Sequence, residues 1–458
     1  MGYSPKSMKV HFIAIGGSAM HNLAIALHKK GYEVSGSDDE IFEPSKGRLN
    51  KYGLLPQTKG WDINNITKDL DFVVLGMHAK KNNPELAKAQ EFGLKIMSYP
   101  EFLYEQSKDK TRVVIAGSHG KTTITSMILH ALHYHGKDCD FMVGAQLEGF
   151  ETMVKLTEHN EFMILEGDEY LSSPMDLRPK FIHYHPNIAL ISGIAWDHVN
   201  VFPSFEKYVE QFSIFLDTIE PGGVVIYNEL DNKVNEVIEN TKNEVKKFAY
   251  SLPDYSVDNG THLIASENDG YIPLEIIGRH NMNNLEGARW ICNQMGLSDE
   301  EFYEAIVSFK GASRRLETLI EKDGLIVYRD FAHAPSKVNA TVDAVKESYP
   351  DKKLVACFEL HTFSSLNIEF MQQYKGSMDA ADTALIYFNP GVVAHKGLAE
   401  LSTASVQEAF GSDKIQVFDN NSELLKKLKS ELTDNCISLI MSSGSFDGID
   451  WKEELTRD

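Results

Sequence analysis

Residues 112–123 read RVVIAGSHGKTT, and this stretch decides the fold. Its first five residues, 112–116, are mostly apolar and β-branched, which predicts a buried strand. A glycine-bearing loop follows, and a helix is predicted from Lys121 to about His135. A strand, a glycine loop and a helix in this order can bind phosphate, because backbone N–H groups at the helix start face the anion. The stretch therefore predicts a nucleotide-binding α/β unit.

The loop departs from the strict P-loop pattern, which requires a glycine five residues before Gly120, where this chain has Ile115. A capped turn at a helix start is the alternative interpretation. The flanking strand and helix favour phosphate binding, with Lys121 neutralising the phosphates and Thr122 available to Mg2+. The predicted phosphate-binding residues are Gly117, Ser118, His119, Gly120, Lys121, Thr122 and Thr123.

The rest of the chain repeats the alternation of strand and helix. Its 458 residues correspond to about three domains at roughly 150 residues each. Strands are predicted at 10–15, 32–37, 72–77, 162–165, 188–191, 224–227, 325–328, 353–358, 384–388 and 437–441. Further helices are predicted at 20–30, 84–92, 204–219, 281–295, 299–308, 336–348 and 422–432. The predicted fold class is α/β with three domains: a Rossmann-like domain over 1–107, a central P-loop ATPase-like domain over 108–312, and a second Rossmann-like domain over 313–458.

Composition excludes several classes of protein. The net charge of -21 opposes docking on nucleic acid or on an anionic membrane. No apolar run approaches the roughly 18 residues that span a bilayer, and no signal-peptide pattern is present, so a cytoplasmic location is expected. The four cysteines lack the paired spacing of a zinc or redox site and are expected to be buried thiols.

Acidic and imidazole side chains follow two predicted strands of the central unit. Glu166 to Glu169 come after residues 162–165, and Asp197 and His198 come shortly after residues 188–191. Strand ends of an open α/β sheet point into the crevice where ligands bind. Solvated strand-end charges are the alternative for Asp168 or Asp197 alone. Thr122, Glu169 and His198 are the predicted Mg2+ ligands.

With these residues in place, the chain resembles the Mur ligases of peptidoglycan synthesis, whose relatives include folylpolyglutamate synthase. The resemblance rests on five motifs in the family's order. They are the phosphate loop, with Ser118 where the family has threonine; Glu169 with His198; Gly278-Arg279-His280-Asn281-Met282-Asn283-Asn284; Arg314-Arg315-Leu316-Glu317; and Asp330-Phe331-Ala332-His333-Ala334-Pro335. The resemblance implies that Asn281 and Asn284 face the adenine of ATP, Arg315 reaches its phosphates, and Asp330 meets its ribose.

The first domain indicates the branch of the family. Ile15 to Met20 follow a predicted strand and open a helix, which would hold a diphosphate at the helix N-terminus. The resemblance implies a UDP-sugar site formed by Gly16, Gly17, Ser18, Ala19, Met20, Ser37 and Asp38. Ala14 stands where the branch usually has a glycine.

Two branches share this loop: one adds L-alanine to UDP-N-acetylmuramate, and a recycling branch adds the tripeptide L-Ala-γ-D-Glu-meso-diaminopimelate. Glu169-Tyr170, Asp176, Arg178 and residues 179–184 resemble the recycling branch more closely. Residues 359–363, ELHTF, depart from the Glu-Pro-Arg-Ser that many recycling ligases show. The recycling activity is the preferred prediction, and the L-alanine activity is the alternative.

The implied reaction is an ATP-dependent and Mg2+-dependent ligation through an acyl-phosphate. Its predicted catalytic residues are Lys121, Glu169, His198 and Arg315, because anionic groups must be brought together and their charge held. Other branches of the family carry a carbamylated lysine at the position of Phe212. The two branches described above lack this lysine, as this chain does. Domain closure is expected, with Gly311 as a hinge.

Two other classes of function stay open from the sequence. A nicotinamide-dependent oxidoreductase would use the Gly16-Gly17 loop but leaves Lys121, Glu169 and His198 without a role. A non-catalytic nucleotide-sugar sensor would keep the fold without ligation. The oligomeric state is not predicted, and His133, His135, His183 and His185 are expected to be surface or supporting residues.

Overall fold

Three mainly parallel sheets flanked by helices follow one another along the chain. The computed structural model describes residues 7–147, 149–258, 260–266, 270–312, 315–412 and 414–456. Arg314, singled out by its motif, lies outside these ranges. The predicted α/β fold class, with three successive units each built on a mainly parallel sheet, is confirmed.

The first sheet has four parallel strands in the order β2-β1-β3-β4. The strands are β1 Lys9–Ile13, β2 Glu33–Ser37, β3 Phe72–Leu75 and β4 Ile96–Ser98. The helices are α1 Ser18–Lys29, α2 Ser45–Lys51, α3 Pro84–Glu91 and α4 Tyr99–Ser107. The strand predicted over 10–15 ends at Ile13 because Ala14 takes a left-handed conformation, with φ of 68°. The backbone therefore turns where the family usually has a glycine.

The second sheet has seven strands in the order β11-β10-β9-β5-β8-β6-β7, and only β7 is antiparallel to its neighbour. The strands are β5 Thr111–Ala116, β6 Asp140–Met142, β7 Val154–Lys155, β8 Phe162–Gly167, β9 Ile188–Ile191, β10 Val224–Asn228 and β11 Lys246–Tyr250. The helices are α5 Lys121–Tyr134, α6 Phe205–Asp217, α7 Asn232–Asn240, α8 Arg279–Gln294 and α9 Asp299–Ile306. Ala116 pairs with Gly167 and Ile191, so β5, β8 and β9 end level with one another.

A small antiparallel sheet was not predicted. It consists of β12 Tyr255–Asp258, β13 Thr261–Ser266 and β14 Gly270–Leu274. One face of β13 is buried, through His262 and Ile264, while Thr261 and Ala265 are exposed. A half-exposed strand of this kind lacks the continuous apolar run by which the parallel strands were recognised.

The third sheet has six strands in the order β15-β16-β20-β17-β18-β19, with β15 antiparallel to β16. The strands are β15 Glu317–Lys322, β16 Leu325–Asp330, β17 Lys353–Leu360, β18 Thr383–Phe388, β19 Ile415–Phe418 and β20 Cys436–Met441. The helices are α10 Pro335–Ser348, α11 Phe363–Leu366, α12 Ile368–Met371, α13 Pro390–His395, α14 Thr403–Phe410, α15 Asn421–Glu431 and α16 Trp451–Thr456. Helix α10 packs on α8, so the third sheet's helices meet the central domain beside the phosphate loop.

The domain boundaries remain a proposal. The 107/108 boundary falls after α4 and before β5, and the 312/313 boundary falls between α9 and β15. The four cysteines are free and buried, as predicted. Among the described residues, no helix combines the length and the apolar character needed to cross a membrane.

Candidate active site

The phosphate loop between β5 and α5 is shaped by two glycines. Gly117 has a φ of 131° and Gly120 a φ of 80°. A Cβ atom at Gly117 would collide with the Ser192 side chain, and one at Gly120 would collide with the Asn284 side chain. The loop therefore lies directly against the end of β9 and against α8. The glycine missing at 115 is explained, because Ile115 is a fully buried core residue of β5.

Lys121, the first residue of α5, holds the carboxylate that was predicted to bind metal. Its Nζ lies 2.6 Å from Oε2 of Glu169 and also donates to the Gly117 carbonyl at 2.5 Å. Burial lowers the pKa of Lys121, but the Glu169 carboxylate outweighs it and the pKa lies above its ordinary value. A charged ammonium is thus held where a phosphate would bind.

Thr122 is bonded to an acidic residue that the sequence analysis gave no separate role. Its hydroxyl donates to Oε1 of Glu166 at 2.7 Å, and the Gly144 N–H donates to Oε2 of the same carboxylate at 2.7 Å. Strand β8 ends at Gly167, so Glu166 is its second-to-last residue and Glu169 lies just beyond it. The two carboxylates therefore accept from consecutive residues at the start of α5, Thr122 and Lys121.

His198 completes the group of predicted metal ligands. Its backbone is left-handed, with φ of 54°, and its Nε2 lies 3.7 Å from Oε1 of Glu169. Beside it, Oδ2 of buried Asp197 has no hydrogen-bond partner among the described residues. Hydroxyl and carboxylate oxygens with one imidazole suit Mg2+, so Thr122, Glu169 and His198 fit that ion.

A cavity of about 540 Å3 opens between the central and third domains. It brings together seven of the eleven residues predicted to bind ATP: His119, Gly120, Thr123, Asn281, Asn284, Arg315 and Asp330. The other four, Gly117, Ser118, Lys121 and Thr122, do not line the cavity but belong to the same loop and helix start. A cavity lined from two domains is the kind of site that domain closure would complete.

Asp330 shapes the turn that carries Arg315. Its two carboxylate oxygens accept the Leu316 N–H at 2.8 Å and the Ala332 N–H at 2.7 Å. Leu316 has a φ of 47°, and the Arg315 guanidinium lies 4.8 Å from the centre of the Phe331 ring. Asp330 therefore both borders the cavity and fixes the segment from which Arg315 reaches it.

Lys337 borders the same cavity and was missed by the sequence analysis. Its Nζ lies 3.5 Å from Oδ2 of Asp197, and Nε2 of His333 lies 4.0 Å from the same oxygen. Lys337 is in the first turn of α10, where the helix dipole disfavours a cation. A lysine at this unfavourable helix position is the sequence signal that could have identified Lys337. The pair links the third domain to the central one.

Two imidazoles close to Lys337, those of His119 and His333, are held neutral. Burial, together with the nearby Lys337 ammonium, lowers the pKa of His119 to about 4. Burial and the same ammonium lower the pKa of His333 to about 3. Lys121, Lys337 and Arg315 are therefore the cationic side chains of this part of the site, and His119 and His333 add no charge near neutral pH.

The predicted UDP-sugar loop borders a second cavity, of about 530 Å3. Gly16, Gly17 and Asp38 line it, and the Gly16 N–H donates to Oδ2 of Asp38 at 2.7 Å. Ser18 and Ala19 open α1 beside it. Four of the seven predicted residues do not line this cavity. They are Ser18 and Ala19; Ser37, whose side chain donates to buried Glu85; and Met20, which packs into the core.

The four histidines without an assigned role lie apart from the ATP cavity. His135 bonds to the Glu301 carbonyl at 2.7 Å, His133 lies near the Phe150 ring, and His185 lies near the Tyr104 ring. Buried His183 lies 3.3 Å from Asp176, and Glu101 adds a third ligand atom within 4.8 Å. Arg178 pairs with Asp176, with its Nη2 at 2.6 Å, so this carboxylate of the cluster already has a cationic partner within the protein.

Comparison with known proteins shows the family. Residues 9–111 match the Mur ligase family catalytic domain, residues 115–291 the Mur ligase middle domain, and residues 314–444 the Mur ligase glutamate ligase domain. The chain belongs to the Mur ligase family. It is an ATP-dependent, ADP-forming ligase of peptidoglycan synthesis.

Individual relatives come from both branches. The chain is 30% identical to the UDP-N-acetylmuramate--L-alanine ligase of Carboxydothermus hydrogenoformans, over 98% of this chain and 96% of the relative. It is 27% identical to the UDP-N-acetylmuramate--L-alanyl-gamma-D-glutamyl-meso-2,6-diaminoheptandioate ligase of Escherichia coli K12, over 97% of each chain. The solved murein peptide ligase of Psychrobacter arcticus superimposes with a TM-score of 0.68, at 24% identity and over 99% of both chains.

Proposed function

We propose that this ligase joins UDP-N-acetylmuramate to the tripeptide L-Ala-γ-D-Glu-meso-diaminopimelate, using ATP and Mg2+. The observation that carries the proposal is the ATP-sized cavity that His119 and Gly120 of the phosphate loop line together with Arg315 and Lys337 of the third domain. The resemblance of Tyr170, Asp176, Arg178 and Lys180 to the recycling branch supports the tripeptide as the amine substrate.

The site residues divide the work of the first step. The lactyl carboxylate attacks the γ-phosphorus of ATP, forming an acyl-phosphate and releasing ADP. Two anions must approach each other, so Lys121, Arg315 and Lys337 supply positive charge around the transferred group. Bound Mg2+ would supply further charge neutralisation, and Thr122, Glu169 and His198 are the residues that would hold it.

The second step displaces phosphate from the acyl-phosphate by the amine. The nitrogen forms the new amide bond to the carbonyl carbon, the C–O bond to phosphate breaks, and the amine loses a proton. The substrates are small molecules, and the proposed location is the cytoplasm, because the reaction consumes ATP.

The L-alanine ligase is the second candidate, supported by the 30% identity to the Carboxydothermus hydrogenoformans enzyme. Incubating the purified protein with UDP-N-acetylmuramate, ATP and Mg2+, with each amine in a separate reaction, distinguishes the two by product mass. We expect the tripeptide adduct, together with stoichiometric ADP. A mass increase with L-alanine alone would move the chain to the other branch, and ligation by Lys121→Ala at the wild-type rate would remove the proposed site.

A further inference from the structure

Tyr208 on α6 is a buried residue that contacts the site without bordering its cavity. Its side chain is fully buried, with the Phe202 and Phe212 rings packed edge-on at 5.4 and 5.5 Å between ring centres. Its hydroxyl lies 2.7 Å from the Ser118 hydroxyl and 3.0 Å from Oε1 of Glu169. A buried tyrosine hydroxyl usually has a hydrogen-bond partner, and here both partners belong to the site: one to the phosphate loop and one to the predicted metal ligands.

Ala195, Ser118, Tyr208 and Glu169 form a hydrogen-bonded chain, and the groups at its two ends fix the direction of each hydrogen bond. At one end the Ala195 N–H, which can only donate, lies 2.9 Å from Oγ of Ser118. At the other end the Glu169 carboxylate, paired with Lys121, can only accept. Ser118 therefore donates to Tyr208, and Tyr208 donates to Glu169. Each bond polarises the next, so the chain holds its members more firmly than isolated bonds would.

The two carboxylate oxygens of Glu169 have different hydrogen-bond partners. Oε1 accepts from Tyr208, while Oε2 accepts from Lys121. When nucleotide binds, the Lys121 ammonium is expected to leave Glu169 and pair with the phosphates. The Tyr208 side chain is enclosed by the core and is expected to keep its position. Oε2 is thus the oxygen set free for a cation, and Oε1 remains fixed.

We propose that Tyr208 is a positioning residue for the ligation: through the chain Ala195–Ser118–Tyr208–Glu169 it orients the Glu169 carboxylate toward metal and ties it to the phosphate loop. The inference rests on the proposed function, because it assumes that Glu169 holds Mg2+ beside ATP. Its consequence is that Mg2+ and nucleotide binding are coupled through a phenol that touches neither.

The test is Tyr208→Phe, which removes the hydroxyl and keeps the buried ring. Calorimetry measures the affinity for a non-hydrolysable ATP analogue with and without Mg2+, and the ratio reports the coupling between metal and nucleotide. Residues that orient a metal ligand typically change metal affinity or activity by about 10- to 100-fold. We expect the Mg2+-dependent gain in affinity to fall about tenfold, the Mg2+-free affinity to stay unchanged, and kcat to fall while KM for the sugar nucleotide is kept.

Two further variants separate positioning from packing. Tyr250→Phe is the matched control, since Tyr250 is also buried and its hydroxyl has no hydrogen-bond partner among the described residues. Ser118→Ala breaks the chain one bond earlier and should give a loss that does not add to that of Tyr208→Phe. It also keeps the test available if Tyr208→Phe misfolds.

The results separate failure of the positioning role of Tyr208 from failure of the proposed ligase function. If Tyr208→Phe and Ser118→Ala keep the coupling measured for wild type and Tyr250→Phe, the positioning role is refuted and the ligase proposal stands. If wild type itself shows no effect of Mg2+ on nucleotide affinity, the proposed metal site fails, and the role of Tyr208 fails with it.

Discussion

At the scale of single residues, the site depends on which cations surround the phosphates. Lys121 was predicted from its loop, because a lysine at that point of a strand-loop-helix unit has a known physical role. Lys337 was not predicted, because its effect depends on α10 packing beside Asp197, which no local sequence pattern reveals. Local motifs thus identified the side chains of the phosphate loop. Lys337, across the cavity, could be found only from the tertiary packing.

Lys337→Met should weaken the use of ATP while leaving the fold intact. The change removes a cation from the cavity and leaves buried Asp197 without its nearest ammonium. Loss of one group that stabilises charge in the transition state typically costs tenfold or more in rate, so kcat/KM for ATP should fall by about tenfold or more. Steady-state kinetics measure this, with Lys346→Met as the control, because Lys346 lies on the same helix and pairs instead with Asp382. Equal kcat/KM in the two variants would contradict the role given to Lys337.

At the scale of secondary-structure elements, the buried parallel strands were predictable and the half-exposed ones were not. β9 has the predicted limits, since its four residues are apolar and buried. The sheet β12-β13-β14 was missed because only alternate residues face the core. Likewise, Ser37 was predicted at the UDP-sugar site from its place at a strand end, but its side chain donates to buried Glu85. Side-chain direction at a strand end requires the register of the neighbouring strands.

Gly120, at the turn from the phosphate loop into α5, is a position where one added methyl group should have a large effect. Gly120→Ala would place a side chain at a φ of 80° and against Asn284 of α8. The conformational cost alone is about 1–2 kcal/mol, and the collision should in addition displace the loop from its position for phosphate. We expect lower thermal stability and loss of nucleotide binding, both measurable by thermal shift with and without ATP.

The other end of the same helix provides the control. Gly136 has a φ of 66° and nothing within 4 Å of the position a Cβ would take. Gly136→Ala should therefore lower stability by a similar conformational cost but keep the stabilisation by ATP. Retained nucleotide binding in Gly120→Ala would show that the loop does not depend on its contact with α8.

At the scale of the whole molecule, burial of histidines makes stability depend on pH. The pKa values of eight histidines are lowered, chiefly by burial: His21, His119, His130, His183, His185, His262, His280 and His333. The unfolded chain then binds more protons than the folded chain below about pH 6.5. The stabilisation is present above that pH and is lost as the pH falls toward the folded-state values.

Denaturant unfolding at pH 7.5 and pH 5 measures this loss. With a pKa of about 4, His119 alone should contribute on the order of 1–2 kcal/mol to it. His119→Asn should accordingly reduce the pH dependence, whereas His28→Asn, at an exposed position, should preserve it. Equal stability of the wild type at the two pH values would contradict the burial of neutral imidazoles at the domain junction.

The central claim is that the carboxylate of the sugar nucleotide is activated by phosphorylation in the cavity between the central and third domains. UDP-N-acetylmuramate labelled with 18O in its lactyl carboxylate tests this directly. An acyl-phosphate passes one carboxylate oxygen to phosphorus, so the released inorganic phosphate should carry one 18O for each ligation at full labelling. Ligation that releases unlabelled phosphate would contradict the mechanism.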